Sequence, residues 1–487
     1  MRYRKAPSPV KLSRPWIEAS PFLVLIIAIA VSSTTGLGIG DSWFDEQRII
    51  GAAALVVAAF LAAFPRARWP SHARVSILLL LVLTIGLLSS FHAQRPYLAL
   101  LEWSVLALIA SLVVGARTSK LRTISIIGAS FGMIVATTYA TGVIANYISQ
   151  WTFGFPIGSQ TLLVGFSNPR FPAHLEALTI PFLFLAWRLA PGPFSRISTL
   201  CIAIVWWACL IGSGSRTAWV SLGLAFGLIA WLERDKGFRL TRFHAICALL
   251  GGIVFATFFL LLPSLLDLPS AREADRLSDL ASVGTRAILW RHGLDAAIAN
   301  PFLGVGPMHY AYLYNGEGAH PHNFWLQLAA EWGLPAAVVA VTAIILLWRR
   351  LTQLAASNRS TFEERETGLV LLAGLTTWIV GTQADGFMVV PTSQLASAVI
   401  LPLCAAFATM ADRHPVQVTE HASMVQKICW PAVMLVASLM LASLAFSSFG
   451  KSGERERRWR EGRENVYFHP RFWQQGWIGP EQDVSAK

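Results

Sequence analysis

Thirteen apolar runs, each bounded by polar or charged residues, dominate this chain: 21–39, 49–65, 75–93, 98–116, 123–148, 173–190, 199–214, 217–233, 245–266, 323–348, 367–386, 391–410 and 428–447. Each is close to the roughly 20 residues that a helix needs to cross a bilayer. In lipid every backbone N–H and C=O must be satisfied within the spanning structure, so such runs fold as helices. Hydrophobic residues make up 54% of the 487 and charged ones only 14%, which excludes a soluble enzyme with one anchor. The expected fold class is an all-α, polytopic integral membrane protein with about 12–13 transmembrane helices.

The formal charge of +12 does not point to nucleic acid, because the basic residues are scattered between apolar runs. They report topology instead. With the N-terminus cytoplasmic, the inner segments 1–20, 66–74, 117–122, 191–198, 234–244, 349–366 and 411–427, with Arg188 at a span edge, hold 23 of the 39 Lys and Arg. The short outer loops hold four: Arg48, Arg95, Arg170 and Arg216. Parity then places a membrane domain at 1–447, a long periplasmic loop at 267–322 between spans nine and ten, and a tail at 448–487 on the periplasmic side, despite the basic run Lys451–Arg460. The run after the basic N-terminus is long enough to span, so Ala28-Ile29-Ala30 is expected to stay uncleaved. All five cysteines lie in or beside apolar runs and are expected to pack without a disulfide framework. No cofactor motif is present.

Chemistry is expected where polar residues meet helix starts. His320-Pro321-His322-Asn323 leads into an apolar stretch that Gly333 and Pro335 interrupt. The interruption predicts a kinked helix, with some residues before Gly333 completing a span. His322 then sits near the membrane surface at a helix N-terminus. Arg170, Arg216 and Arg286 also fall at expected helix starts on the same side, where unpaired N–H groups and the helix dipole favour anions. An arginine there opposes the dipole, a cost that a bound phosphate offsets. Other readings stand beside this one. Arg170 and Arg216 fit interfacial snorkelling. Arg286 fits an ion pair with Asp275 or Asp279. His322 fits a helix cap, and His320 with His322 fits part of a metal site. Of the acids in the outer halves of spans (Glu102, Glu176, Glu331, Asp385), Glu331 is preferred as the one nearest His322 in sequence.

The stretch His322-Asn323, nine residues, then Gly333-Leu334-Pro335-Ala336 resembles the signature of the O-antigen ligase and polymerase superfamily, with Ala336 in place of a final glycine. Leu326 and Glu331 match the family's usual entries. Ser215-Arg216, and Arg286-x3-Trp290 followed by Asn300-Pro301-Phe302-Leu303-Gly304-Val305-Gly306, resemble its two arginine landmarks. The resemblance covers roughly residues 160 to 410; the extra span at 428–447 and the basic tail depart from it. It implies a GT-C-like inverting glycosyltransferase of the bacterial inner membrane, whose donor is a glycan on undecaprenyl diphosphate. Arg216 and Arg286 are then expected to hold the diphosphate, and His322 to orient or deprotonate the acceptor hydroxyl. Arg170, Asn323, Glu331 and His320 are expected as substrate contacts, with no metal. Lipid A–core, another lipid-linked glycan or a protein side chain all remain open as acceptor, so ligase, polymerase and protein O-glycosyltransferase share this chemistry. A non-enzymatic transporter of the same glycans is the reading of another class. It predicts basic residues along a path through the bilayer, whereas these arginines gather at outer ends.

Overall fold

Each apolar run coincides with helix in the computed structural model, which describes residues 15–39, 42–63, 73–115, 120–168, 170–235, 237–266, 282–357, 361–410, 424–448, 471–474 and 476–479. In chain order the helices are α1 (Pro15–Ser32), α2 (Trp43–Ala63), α3 (Ala73–His92), α4 (Pro96–Gly115), α5 (Leu121–Phe153), α6 (Arg170–Thr179), α7 (Leu183–Leu189), α8 (Pro193–Ser213), α9 (Arg216–Glu233), α10 (Arg239–Phe255) and α11 (Leu262–Leu265). There follow α12 (Ser282–Ala299), α13 (Phe324–Trp332), α14 (Leu334–Ala356), α15 (Phe362–Gly381), α16 (Pro391–Met410) and α17 (Met424–Ser448). No β-strand forms among the described residues. Eight helical segments are long and apolar enough to cross a membrane by themselves, and two shorter apolar ones, Glu18–Ser32 and Ile428–Leu444, accompany them. The protein is an all-α, multi-pass membrane protein. The basic N-terminus (1–14), the polar stretch 267–281 with its Asp275 and Asp279, and the basic run Lys451–Arg460 lie outside the described residues.

The bundle is built around α16, which packs against α1, α2, α4, α5, α6, α14 and α15. Its buried Ser393 and Ser397 hydroxyls are satisfied locally: Ser393 Oγ donates to the Val390 carbonyl at 2.9 Å, and Ser397 Oγ donates to the Ser393 carbonyl at 2.7 Å and accepts from Trp378 Nε1 of α15 at 2.8 Å. Such bonding is what lets polar side chains sit inside an apolar bundle. α15 starts with a capping box, Thr361 Oγ1 accepting from Glu364 N at 3.2 Å while Glu364 accepts from Thr361 N at 2.7 Å. All five cysteines are free thiols.

Two expected spans are broken rather than continuous. In the sixth, a tight turn over Ile180–Phe182 separates α6 from α7, because Pro181 has no N–H to donate into the helix. In the tenth, the kink expected at Gly333 is a complete break. Gly333 adopts φ 89° and ψ 161°, and a Cβ there meets the Phe302 carbonyl oxygen at 2.2 Å. Beyond the break α14 runs past Trp348 and Arg350 to Ala356, so it reaches spanning length without the residues before Gly333. The short helix α13 is therefore not needed to complete the crossing.

The loop after α12 closes the gap. Val305 N and Gly306 N donate to the Ala330 and Glu331 carbonyls, both at 2.9 Å, and Leu334 N donates to the Pro301 carbonyl at 2.8 Å. The last carbonyls of α13 and the first N–H of α14 are thereby satisfied by one turn-rich segment. Gly304 makes the approach possible, since a Cβ on it meets Glu331 backbone at 2.4 Å. Gly333→Ala is expected to cost at least about 1–3 kcal/mol, the usual size of a forbidden backbone conformation, with the clash against Phe302 adding to it. A lowered thermal transition of the purified protein in detergent measures this; an unchanged transition contradicts the break as described.

Candidate functional site

Asn323 ends the irregular segment and starts α13: its Oδ1 accepts from Trp325 N at 3.1 Å and from Leu326 N at 3.0 Å. This is the N-cap geometry for which asparagine is suited, so the side chain expected to touch substrate is used on the helix. Phe324 N donates to the Thr382 carbonyl at 2.9 Å, fastening the helix start to the end of α15. One residue earlier, His322 is held at φ 52°, a left-handed conformation uncommon for a residue with a side chain. Non-glycine residues in such regions concentrate at functional sites. Its N–H donates to His320 Nδ1 at 3.2 Å, and the two rings lie 4.0 Å apart between centroids.

The acid that faces His322 is Asp385 of the α15–α16 turn, not Glu331. His322 Nδ1 lies 3.4 Å from Asp385 Oδ1, and His174 Nε2 of α6 lies 3.4 Å from Asp385 Oδ2. Asp385 and His174 are buried, whereas the His322 side chain keeps 30% of its surface exposed. Burial pushes the Asp385 carboxyl up, but His174 and His322, by charge and hydrogen bonding, outweigh it and hold it well below the usual carboxylate range. Gly386 N adds a bond to Oδ1 at 2.8 Å. An ionised carboxylate on Nδ1 leaves the other ring nitrogen of the only exposed member of the trio for chemistry. Sequence reasoning had Asp385 among four acids and had no signal for His174, which stands one helical turn after Arg170 on α6.

The three arginines reach the same end of the bundle by different routes. Arg170 opens α6, whose N-terminus is capped by Asn168 Oδ1 accepting from Arg170 N at 2.9 Å. Arg170 and His174 are four residues apart and share one face. Arg216 opens α9, which starts without a side-chain cap at Ser215, whose buried Oγ has no hydrogen-bond partner. At the other end of α9, Arg365 in the first turn of α15 donates to the Leu232 carbonyl at 2.9 Å. The two helices are therefore antiparallel, and sixteen residues of each, about 24 Å at 1.5 Å rise per residue, bring Arg216 level with Gly381, next to Thr382 and the start of α13. Arg286 lies half-buried in α12, one turn before Trp290, whose Nε1 donates to the Pro321 carbonyl at 2.9 Å. That bond ties the Arg286 face of α12 to the backbone beside His322.

Glu331 points elsewhere. It is buried, accepts from Tyr310 N at 3.0 Å and from Arg471 Nη2 at 2.6 Å, and stands beside Gln327. Arg471, in the tail, also reaches Glu102 of α4 at 2.7 Å. Burial lowers its pKa, and Glu102 and Glu331 more than restore it, so the guanidinium is held above its ordinary value. Sequence reading had no signal for Arg471, which lies 140 residues from Glu331 in the chain. Among the described residues no group of three or more His, Cys, Asp and Glu is arranged to hold a metal ion.

The structure is thus a polytopic helical bundle with a partly exposed histidine backed by a buried carboxylate, and with Arg170 and Arg216 opening helices α6 and α9. Residues 200–341, which include Arg216, Arg286, His322 and Gly333, match the O-antigen ligase family. That matched stretch supports a relation to the O-antigen ligase and polymerase superfamily, whose members are glycosyltransferase-like. No curated protein matches the chain.

The depressed pKa of Asp385 fixes the sign of its pH dependence. Its stabilising contribution is complete above the unfolded value of about 3.9 and is lost only as pH falls below that. Asp385→Asn is expected to lower the thermal transition at pH 5 to 8, with the gap from wild type closing below about pH 4. A gap that closes already between pH 6 and 5 contradicts the assignment.

Proposed function

We propose that this protein is an O antigen ligase-like inverting glycosyltransferase that takes a glycan from undecaprenyl diphosphate at the periplasmic face of the inner membrane. The observation that carries the proposal is the His322–Asp385 pair, 3.4 Å apart and open to solvent on the His322 side alone. Asp385 holds the imidazole by Nδ1 and stabilises the imidazolium when Nε2 removes the proton of the acceptor hydroxyl. The acceptor oxygen forms its bond to the anomeric carbon as the bond to the diphosphate breaks on the opposite face, so the configuration inverts. Negative charge grows on the leaving diphosphate. Arg216 and Arg286 bind it and are worth most in the transition state. Arg170 lies where it extends this cationic rim, and the uncapped start of α9 supplies backbone donors. His320 supports the His322 ring and backbone, and Glu331 acts through α13 rather than on substrate. With arginines in this role, the diphosphate needs no divalent ion for neutralisation.

Two jobs predict two kinds of defect. His322→Ala is expected to leave binding of the undecaprenyl-diphosphate glycan nearly intact and to lower turnover by about 10²–10⁴-fold, the range of a positioned acid–base group. Arg216→Ala and Arg286→Ala are each expected to weaken donor binding by about one to two decades and to lower turnover as well. Arg→Lys restores only part, because an ammonium lacks the guanidinium's bidentate fork. Donor-binding and transfer assays on membranes with equal protein separate these outcomes. Normal transfer by all three alanine variants overturns these residue roles, and absence of transfer by the wild-type protein returns it to the transporter reading.

Orientation and metal use are tested separately. A cysteine at Glu317 is expected to react with a membrane-impermeant maleimide from the periplasmic side, and labelling only from the cytoplasm inverts the topology. Turnover is expected to survive EDTA; its loss, restored by one divalent ion, revives the His320–His322 metal reading.

A further inference from the structure

Residues 471–474 and 476–479 of the tail lie across the end of the bundle that carries His322. We propose that this segment is a strap that positions the His322–Asp385 pair, with Arg471 as its positioning residue. Arg471 is 1% exposed and joins α4 to α13 through Glu102 and Glu331 at 2.7 and 2.6 Å. Its neighbour Phe472 accepts from Arg48 Nε of α2 at 2.9 Å, and the Arg48 guanidinium stacks over the Phe472 ring at 4.7 Å. The other side of that guanidinium donates to the Val389 carbonyl at 2.7 Å and to the Gln394 side chain. Val389 belongs to the turn that carries Asp385: its N–H and that of Val390 both donate to the Gly386 carbonyl, at 2.8 and 3.0 Å.

The strap thus grips both elements that make the pair, α13 through Glu331 and the Asp385 turn through Arg48. Its far part is docked independently. Gln474 N donates to Asp45 Oδ1 at 2.8 Å, Ile478 N donates to the Ala311 carbonyl at 3.1 Å, and Trp477 packs on Tyr314 at 4.8 Å. Gly479 lies against Tyr312, where a Cβ meets the carbonyl oxygen at 2.3 Å. A buried guanidinium between two carboxylates is a poor source of net stability, since desolvation cancels most of the attraction. What it fixes is geometry, and chemistry between fixed groups is sensitive to displacements near 1 Å.

The experiment uses the full-length protein in lipid nanodiscs, with two readouts. Amide hydrogen exchange at residues 386–390 and 322–326 reports the positioning itself, and transfer from undecaprenyl-diphosphate glycan reports its consequence. Only the second rests on the transferase reading. Arg471→Met removes the charge but leaves Glu102 and Glu331 unpaired, so Gly479→Val, which disturbs docking without touching an ion, is measured beside it. A chain ending at residue 469 completes the set.

Each variant is expected to speed exchange in both stretches by about tenfold or more. Each is expected to lower kcat by up to about 10²-fold while changing donor KM by less than about threefold. A synthetic peptide of residues 470–482 added to the shortened chain is expected to recover both readouts. Unchanged exchange in folded variants overturns the strap. Loss of donor binding together with kcat, without recovery by the peptide, also overturns it, because the segment is then only scaffold. If the wild-type protein transfers no glycan, the transferase reading fails while the exchange data still decide the strap.

Discussion

The backbone break at Gly333 governs the outer end of this protein. A chain that stops one helix and starts another within a single residue strands carbonyls on one side and N–H groups on the other. Near lipid these must be satisfied by protein. The segment 301–306 does so by donating to Ala330 and Glu331 and accepting from Leu334. Once that segment is committed, α12 must pack beside α13, Trp290 meets Pro321, and the His320–Asn323 turn takes the one path left to it. Within that turn His322 takes a left-handed backbone, φ 52°. Glycine at 333 is required by two constraints at once, a positive φ and the carbonyl of Phe302.

Charge is distributed with the same economy. Three of the four buried acids singled out at this end are engaged by protein cations or histidines: Glu102 and Glu331 by Arg471, and Asp385 by His174 and His322. An ionised carboxylate left unpaired here would repel a diphosphate and would itself be costly to bury; Glu176, buried with one oxygen unpartnered, is the exception among the four. The guanidinium that neutralises Glu102 and Glu331 comes from the tail, while other arginines stand at the starts of α6 and α9. They stand where the helix dipole and their own charge both favour an anion.

The sequence made the architecture legible because bilayer length and apolarity are local properties: α15, α16 and α17 lie close to their expected limits. The His322–Gly333 signature was legible for the same reason, as it lies within one short stretch. Where the reading fell short, tertiary contacts decided. A glycine followed at two residues by proline signals a kink, yet a full break needs a second segment to accept the freed groups, and residues 301–306 are 27 or more positions away. Asp385 is 63 residues from His322, so Glu331, only nine away, looked the better partner. On a helix that turns away from His322 after its cap, nearness along the chain places Glu331 at the opposite end of α13. Arg471 had no pattern at all around it, and His174 read as one polar residue in an apolar run.

The transporter reading is weakest where the structure is most specific. A path for a polar headgroup needs hydrophilic surface along the depth of the bundle, lined at intervals by groups that bind weakly enough to release. Here the centre is α16, whose Ser397 and Gln394 side chains are bonded to a neighbouring helix and turn, and the aromatic packing of Phe131 against Phe182 fills space beside it. The polar groups singled out for chemistry stand instead at one end, where the His322 ring is oriented by the buried Asp385 carboxylate. Orientation of a single titratable ring to within a hydrogen bond has little value for passage, which requires only charge compensation. It has large value for moving one proton at one atom, and that difference in what the geometry is good for favours catalysis.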